Sequence, residues 1–216
     1  MRRLLAALFL LAFLAPTAPA LSGAEEELAR AGFVEPVALD HSLVLDMRYA
    51  TTNNFSGQAV YPSARCFLRA DVAKRLLAAQ AELHRQGLGL KLFDCYRPFH
   101  VQERFWAIVP DERYVARPEK EGGVIVQGSK HNRGAAVDVG LVDAKGRELP
   151  MPSGFDDFTE KAHRDYQGAS AEALKNRATL EQAMNAQGFE PLPSEWWHFD
   201  GPGWQGYEML DLPLPK

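Results

Sequence analysis

The chain has 216 residues, with 24 Lys and Arg against 28 Asp and Glu, 46% hydrophobic residues and only two Cys. This length predicts one domain that holds a core without covalent staples, because a domain of about 200 residues buries about 70% of its unfolded surface. The formal charge of −4 disfavours nucleic-acid binding, and two Cys exclude a Cys-rich zinc module or a disulfide scaffold.

The N-terminal segment has the order of a secretory signal peptide. A pair of arginines precedes the apolar run Leu4 to Leu14, and Ala-Pro-Ala at residues 18–20 supplies a cleavage site. The alternative is an uncleaved membrane anchor, but the run is shorter than the about 20 residues that span a bilayer. We therefore expect residues 1–20 to be removed and residues 21–216 to form one exported, periplasmic domain without stable membrane insertion.

Export bears on the two cysteines. An oxidising compartment permits a disulfide between Cys66 and Cys95. The alternative is a pair of buried thiols, and the sequence leaves both open.

The mature chain predicts a mixed set of elements. Helical spacing places Val72, Leu76, Ala79 and Leu83 on one face of a predicted helix. In chain order we first expect an acidic helix over 24–31, a strand over 43–49, a helix capped by Asp71 and closed by Gly87, and a strand over 88–93. A helix from Pro98 follows, with Val101, Phe105 and Ile108 inward, and then two strands around a turn over 124–142 and a hairpin connection over 143–146. The last elements are a helix from Ser170 to Gln187, with Leu174, Leu180 and Met184 inward, and a strand over 195–200. Strands and helices that do not alternate regularly predict an α+β fold, an antiparallel sheet with helices packed on one side.

Two short segments carry the residues of a metal site. The first runs from Ser129 to Asp138 and contains His131, and the second runs from Glu195 to His198. A catalytic zinc site needs three ligands drawn from His nitrogen and carboxylate oxygen, with a fourth position left to water. It also needs a base to take the proton of that water.

The apolar surroundings of Asp138 favour a bound cation. Asp138 lies in the apolar run Ala135 to Leu141, where a carboxylate without a partner costs several kcal/mol, so a cation is the simplest partner. A lone His, by contrast, is more often structural than a ligand.

Residues three apart in a strand point to opposite faces. Glu195 and His198 can therefore serve one metal only if the strand bends or Glu195 precedes it.

These segments resemble a known family. The pattern Ser-x-His-x-x-Gly-x-Ala-x-Asp followed by Glu-x-Trp-His resembles the zinc D-alanyl-D-alanine dipeptidases, which form a wider group with the D,D-carboxypeptidases and the hedgehog signalling domain. Asp46 to Phe55, Asp94 to Pro98 and Pro150 to Asp156 resemble dipeptidase segments in the same order. The resemblance covers most of residues 43–200 and implies the same fold group.

The resemblance implies roles for the metal and catalytic residues. The implied ligands of one zinc ion per chain are His131, Asp138 and His198. Glu195 matches the general base, and Arg97 matches the arginine that stabilises the transition state. An alternative for Arg97 is a structural ion pair with Asp94, three residues earlier.

The resemblance also implies a small dipeptide substrate. Ser129 and Tyr49 match residues beside the bound dipeptide, and Asp156 matches an acidic residue of the substrate pocket that could hold a free ammonium. The implied activity is hydrolysis of D-Ala-D-Ala to two D-Ala. The alternatives are a D,D-carboxypeptidase that trims cell-wall peptides and a zinc-bearing binding module without turnover.

Overall fold

The computed structural model describes residues 22–216, so the signal peptide expected at residues 1–20 lies outside the described residues. The α-helices of this part are α1 (Gly23–Arg30), α2 (Pro36–Leu39), α3 (Ala70–His84), α4 (Phe99–Ile108) and α5 (Ala171–Asn185). The strands are β1 (Phe33–Val34), β2 (Val44–Leu45), β3 (Leu68–Arg69), β4 (Leu88–Asp94), β5 (Glu119–Glu121), β6 (Val124–Gln127), β7 (Ala136–Asp143), β8 (Glu190–Pro191) and β9 (His198–Asp200). Within residues 22–216 no helix has the length and apolar character needed to cross a membrane.

The central sheet contains five strands in the order β2-β4-β7-β9-β8. Its pairs are antiparallel except at one edge, where β2 runs parallel to β4. This parallel pair follows from the connection, because the chain crosses over through α3 between the two strands and parallel neighbours need a long crossover. The predicted α+β fold is confirmed.

The helices α3 and α5 cover the sheet. They contact each other, and α3 also contacts β4 while α5 contacts β7. The inward positions Val72, Leu76 and Leu83 of α3 are fully buried, and so are Leu180 and Met184 of α5. Helical spacing therefore identified most core-facing positions, although Leu174 of α5, also expected to face inward, is only half-buried.

Some details differ from the prediction. The helix α3 begins at Ala70, so Asp71 lies in its first turn rather than at the cap, where its charge still favours the helix dipole. The last strand begins at His198, and Glu195 precedes it. The side chain of Ile108 is 41% exposed because α4 ends at that residue.

The segment before the metal motif is also rearranged. The strands β6 and β7 are not partners around a turn, since β6 pairs with β5 and a 3₁₀ turn, Lys130–Arg133, stands before β7. Of the strand expected over residues 43–49, only β2 forms, and Arg48–Ala50 is a 3₁₀ turn. Both 3₁₀ turns carry residues that line the site described below.

A disulfide joins Cys66 to Cys95, with the two Cα atoms 5.3 Å apart. It ties the end of β4 to the chain entering β3, and the neighbouring Tyr96 N–H donates to the Phe67 carbonyl oxygen at 2.9 Å. A cross-link of this loop length stabilises a fold by about 3–4 kcal/mol. The end of β4 is therefore held both covalently and by hydrogen bonds.

Gly134 ends the 3₁₀ turn in the left-handed region, with φ of 64°. A Cβ here would overlap the ring of Phe33, whereas a Cβ at Gly57, with the same φ, would meet no described atom within 4 Å. Gly57→Ala should lower the free energy of unfolding by about 1–2 kcal/mol, the cost of left-handed backbone. Gly134→Ala should cost a further about 1–3 kcal/mol from overpacking.

Denaturant unfolding of both variants checks this prediction. Equal losses of stability in the two variants would show that the contact between Gly134 and Phe33 does not constrain the turn.

Candidate metal centre and active site

Three side chains converge at the junction of two strands and a turn. Asp138 of β7 lies directly opposite His198 of β9 in the antiparallel register. The 3₁₀ turn, capped by the Ser129 side chain, places His131 beside them. One donor atom from each of His131, Asp138 and His198 lies within 4.8 Å of the others. Sheet register and turn geometry together bring these distant residues into one cluster.

The donor atoms form a nearly equilateral triangle. Nε2 of His131 lies 3.1 Å from Nδ1 of His198, and Oδ1 of Asp138 lies 3.3 Å and 3.0 Å from those two nitrogens. Tetrahedral ligands with metal bonds of about 2.0–2.2 Å are about 3.3–3.6 Å apart, so the observed triangle would need to widen only slightly around an ion. The three side chains are 2–8% exposed, so the triangle is nearly closed to solvent.

Outer hydrogen bonds orient both imidazoles. Nδ1–H of His131 donates to the Cys95 carbonyl oxygen at 2.7 Å, and Nε2–H of His198 donates to Oδ1 of Asp200 at 2.9 Å. With these bonds made, Nε2 of His131 and Nδ1 of His198 are the ring nitrogens that face Asp138. A carbonyl or carboxylate behind each imidazole is the usual arrangement at protein metal sites.

The electrostatics of the cluster favour a cation. Burial lowers the pKa of His198, but hydrogen bonds with Asp138 and Asp200 outweigh it and raise that pKa to about 10. Burial raises the pKa of Asp138, but His131 and His198 bring it below its ordinary value. Positive charge beside the Asp138 carboxylate is therefore stabilising. Two imidazole nitrogens and one carboxylate oxygen fit a divalent metal such as zinc.

Glu195 occupies the turn that precedes β9. Its carboxylate lies 3.9 Å from Nδ1 of His198, and the His198 N–H donates to the Glu195 carbonyl oxygen at 3.4 Å. Because Glu195 stands outside the extended strand, the two side chains reach the same side of the site, as the sequence required. Burial raises the pKa of Glu195, although the nearby His198 opposes this. A carboxylate of raised pKa beside a metal triangle is suited to accept and return a proton.

An arginine that the sequence analysis did not identify holds this turn. The backbone N–H of Arg164 donates to the Pro193 carbonyl oxygen at 2.9 Å. Its guanidinium donates to the carbonyl oxygens of Leu192 at 2.9 Å and His198 at 2.7 Å. Arg164 thus clamps both ends of the segment that carries Glu195. Nothing in its sequence neighbourhood distinguishes it from a surface arginine.

Arg97 enters the site from the chain just after β4. Its Nε and Nη2 donate to the same oxygen of Asp94, Oδ2, at 3.1 Å and 2.6 Å, and its Nη1 donates to Gln102 at 2.8 Å. The ion pair with Asp94 that the sequence analysis gave as an alternative is present. The bonds to Asp94 and Gln102 occupy three of the five N–H groups of the guanidinium, so two N–H groups remain to donate to a substrate.

A cavity of about 260 Å³ lies beside the triangle. Every predicted metal, catalytic and substrate-binding residue lines it, namely Tyr49, Arg97, Ser129, His131, Asp138, Asp156, Glu195 and His198. The aromatic rings of Phe55, Phe105 and Trp197 form apolar parts of the wall. The structure thus brings together side chains from the whole length of the resemblance.

Asp156 lines the cavity next to Phe55. Its carboxylate accepts hydrogen bonds from the Tyr49 hydroxyl at 3.0 Å and from the Phe55 N–H at 3.2 Å. Burial raises the pKa of Asp156 to about 7, despite the opposing effect of these bonds. Its φ of 62° is left-handed, a strained conformation that clusters at functional sites. No described residue forms an ion pair with it, so an ammonium group in the cavity would supply the missing charge.

Comparison with known proteins agrees with this geometry. A family model described as D-ala-D-ala dipeptidase matches residues 29–211. The D-alanyl-D-alanine dipeptidase of Escherichia coli is 35% identical over 168 residues, covering 78% of this chain and 83% of that protein. Those of Enterococcus faecium and Enterococcus faecalis are 34% and 32% identical, covering 86% and 85% of this chain and 95% and 94% of their own lengths. The chain belongs to the D-ala-D-ala dipeptidase family.

Proposed function

We propose that this protein is a zinc dipeptidase that hydrolyses free D-Ala-D-Ala to two molecules of D-Ala. The observation that carries the proposal is the triangle of donor atoms, 3.0–3.3 Å on a side, beside Glu195 and Arg97 in one cavity. The names of the relatives from three organisms support the choice of substrate.

His131, Asp138 and His198 would hold the zinc ion, one per chain, through the three atoms that face one another. A zinc ion with three protein ligands supplies a Lewis acid and lowers the pKa of water at its open position. The residues around the triangle supply the proton transfer, charge stabilisation and substrate binding.

Glu195 acts as the general base and then as the general acid. Its carboxylate accepts a proton from the water that attacks the amide carbon and delivers that proton to the nitrogen of the leaving D-Ala. Burial raises the pKa of Glu195, which makes it a better base than an exposed carboxylate. Transfer by such a positioned group contributes about 10²- to 10⁴-fold to rate.

Arg97 stabilises the charge that develops on the carbonyl oxygen. Its two remaining N–H groups are directed by the contacts with Asp94 and Gln102, and the guanidinium lies 5.3 Å from the centre of the Tyr49 ring. A donor fixed before the reaction begins needs little reorganisation when the charge forms.

Asp156 selects for a free N-terminus. Its carboxylate, oriented by Tyr49, pairs with the substrate ammonium, and Ser129 lies beside the bound dipeptide on the metal side. An N-acylated peptide would leave Asp156 buried without a charged partner, which is costly. This selection favours a dipeptidase over a D,D-carboxypeptidase. Glu195 and Arg97 in turn disfavour a binding module without turnover.

We also propose that the protein works in the periplasm on products of the cell wall. The apolar segment and cleavage site at residues 1–20 support export. The disulfide between Cys66 and Cys95 supports an oxidising compartment, since cytosolic thiols stay reduced.

One assay tests the proposed activity. Purified mature protein is incubated with D-Ala-D-Ala, L-Ala-L-Ala or N-acetyl-D-Ala-D-Ala, with and without a chelator, and free alanine is measured. We expect release from D-Ala-D-Ala alone, lost with chelator and restored by zinc. Release only from the acetylated peptide would transfer the assignment to a carboxypeptidase, and no release from any of the three would overturn it.

Substitution of a metal ligand and substitution of the general base should have different effects on metal content. His198→Ala removes one corner of the triangle, so the zinc content of the purified protein should fall to a small fraction of one equivalent. Glu195→Gln should keep a full equivalent while kcat falls about 10²- to 10⁴-fold. Metal analysis with activity assays checks both, and His41→Ala, an exposed histidine, is the control. Loss of zinc in Glu195→Gln would make Glu195 a ligand instead.

Asp156→Asn should remove the preference for the free dipeptide. The variant keeps the shape of the side chain but loses the charge that pairs with the ammonium, so kcat/KM for D-Ala-D-Ala should fall about 10- to 100-fold. The ratio of kcat/KM for free and N-acetylated dipeptide measures the effect. An unchanged ratio would exclude Asp156 from the recognition of the N-terminus.

The same carboxyl predicts a pH dependence. The pKa of Asp156 is raised to about 7, so its charged form is present above that pH and is lost as the pH falls through it. The value of kcat/KM for D-Ala-D-Ala should therefore decline on the acid side of neutrality, mainly through a rise in KM. In Asp156→Asn the KM should be flat over the same range, and a wild-type KM that is equally flat would contradict the assignment.

A further inference from the structure

Gln102 is a fully buried glutamine on the inner side of α4. Both ends of its side-chain amide are bonded: Oε1 accepts from Nη1 of Arg97 at 2.8 Å, and Nε2 donates to the Ala116 carbonyl oxygen at 2.7 Å. Ala116 belongs to the segment between α4 and β5 that forms one wall of the cavity. A single side chain therefore connects Arg97 to the wall of the substrate cavity.

The hydrogen bonds between Arg97 and Asp94 do not by themselves fix the rotation of the Arg97 guanidinium. Both bonds from Arg97 end on Oδ2 of Asp94, while Oδ1 accepts from the Tyr61 hydroxyl at 2.7 Å and from the Cys95 N–H at 2.9 Å. Two bonds that converge on one oxygen fix the rotation of the guanidinium less fully than a two-oxygen fork does. The ring centres of Tyr49 and Phe105 lie 5.3 Å and 5.0 Å from Cζ of Arg97, and the bond from Nη1 to Gln102 adds a directional contact that opposes rotation about Oδ2.

The direction of the two remaining N–H groups of Arg97 depends on its bond to Gln102. With Nη1 bonded to Gln102, the two remaining N–H groups of Arg97 lie on its terminal nitrogens. Stabilising a developing charge requires donors about 2.7–3.1 Å from the oxygen that carries it. A small rotation of the guanidinium would move both donors out of that range.

We propose that Gln102 is a positioning residue that sets the rotation of the Arg97 guanidinium and locks it to the cavity wall through Ala116. The inference rests on the proposed function, in which Arg97 stabilises the transition state. It concerns kcat rather than metal binding or ground-state affinity, because the hydrogen bonds of the Gln102 side chain among the described residues go to Arg97 and Ala116 and not to the donor triangle or Asp156.

Gln102→Met tests the inference by removing both amide bonds while keeping a long, uncharged side chain. The matched control is Gln80→Met in α3, since Gln80 is equally buried and also bonded at both ends, to Leu90 and Ser42. None of these three residues is among the described residues that line the cavity. We expect kcat to fall about 10- to 100-fold in Gln102→Met, as misplacement of a catalytic group does, with KM changed less than about threefold. Gln80→Met should leave both constants unchanged.

Two further readouts separate positioning from general damage. A phosphinate analogue of D-Ala-D-Ala, which mimics the tetrahedral transition state, should bind Gln102→Met more weakly by about the same factor as kcat falls. In a background of Arg97→Met, the Gln102 substitution should have little additional effect, because its action passes through Arg97. Additive losses in the double variant, or equal losses in the Gln80 control, would overturn the proposal.

Gln102→Glu covers the case in which the methionine variant does not fold. It keeps the length of the side chain and an acceptor for Nη1 of Arg97 but cannot donate to the Ala116 carbonyl oxygen, so the link to the cavity wall is lost and kcat should fall about tenfold or more, with KM changed less than about threefold. A kcat equal to that of the wild type, with normal zinc content and thermal stability, would contradict the role. Failure of the wild-type protein to hydrolyse D-Ala-D-Ala would instead refute the proposed function, which makes the two failures distinguishable.

Discussion

Two imidazole nitrogens and a carboxylate oxygen face one another at 3.0–3.3 Å in the interior of the protein, and the rest of the site depends on this arrangement. Desolvating such groups costs several kcal/mol each, and their mutual attraction offsets it only when the geometry is good. The geometry comes from the pairing of β7 with β9, which aligns Asp138 with His198, and from the 3₁₀ turn that carries His131. A cation at the centre would turn a costly cluster into a stabilising one, linking metal binding to folding.

The end of β4 connects this cluster to Arg97. Asp94 binds Arg97, and the carbonyl oxygen of the next residue, Cys95, orients His131. The disulfide to Cys66 fixes the same point of the chain. The donor triangle and the Arg97 guanidinium are therefore both positioned from one short segment, which sets their separation. Such rigidity is what a preorganised site requires, because donors must be in place before charge develops.

The fold class could be predicted from the sequence, and the resemblance of two short motifs to the dipeptidases indicated that His131, Asp138 and Glu195 would lie together, as they do in one cavity. The residues that support them could not be predicted. Gln102 is one glutamine in an amphipathic helix, and Arg164 is one arginine in a loop, and their roles arise from partners far away in the chain. The strand β5 was missed because Glu-Lys-Glu has no apolar alternation. Long-range pairing, rather than local pattern, decided each of these features.

The central claim is that His131, Asp138 and His198 bind one metal ion and leave one position open for water. A crystal structure of the zinc-loaded mature protein tests it most directly. The account predicts one ion within about 2.2 Å of those three donor atoms, with a solvent oxygen in the fourth position beside Glu195. A fourth protein atom in that position, or zinc bound elsewhere while the three side chains remain hydrogen-bonded to one another, would contradict the account.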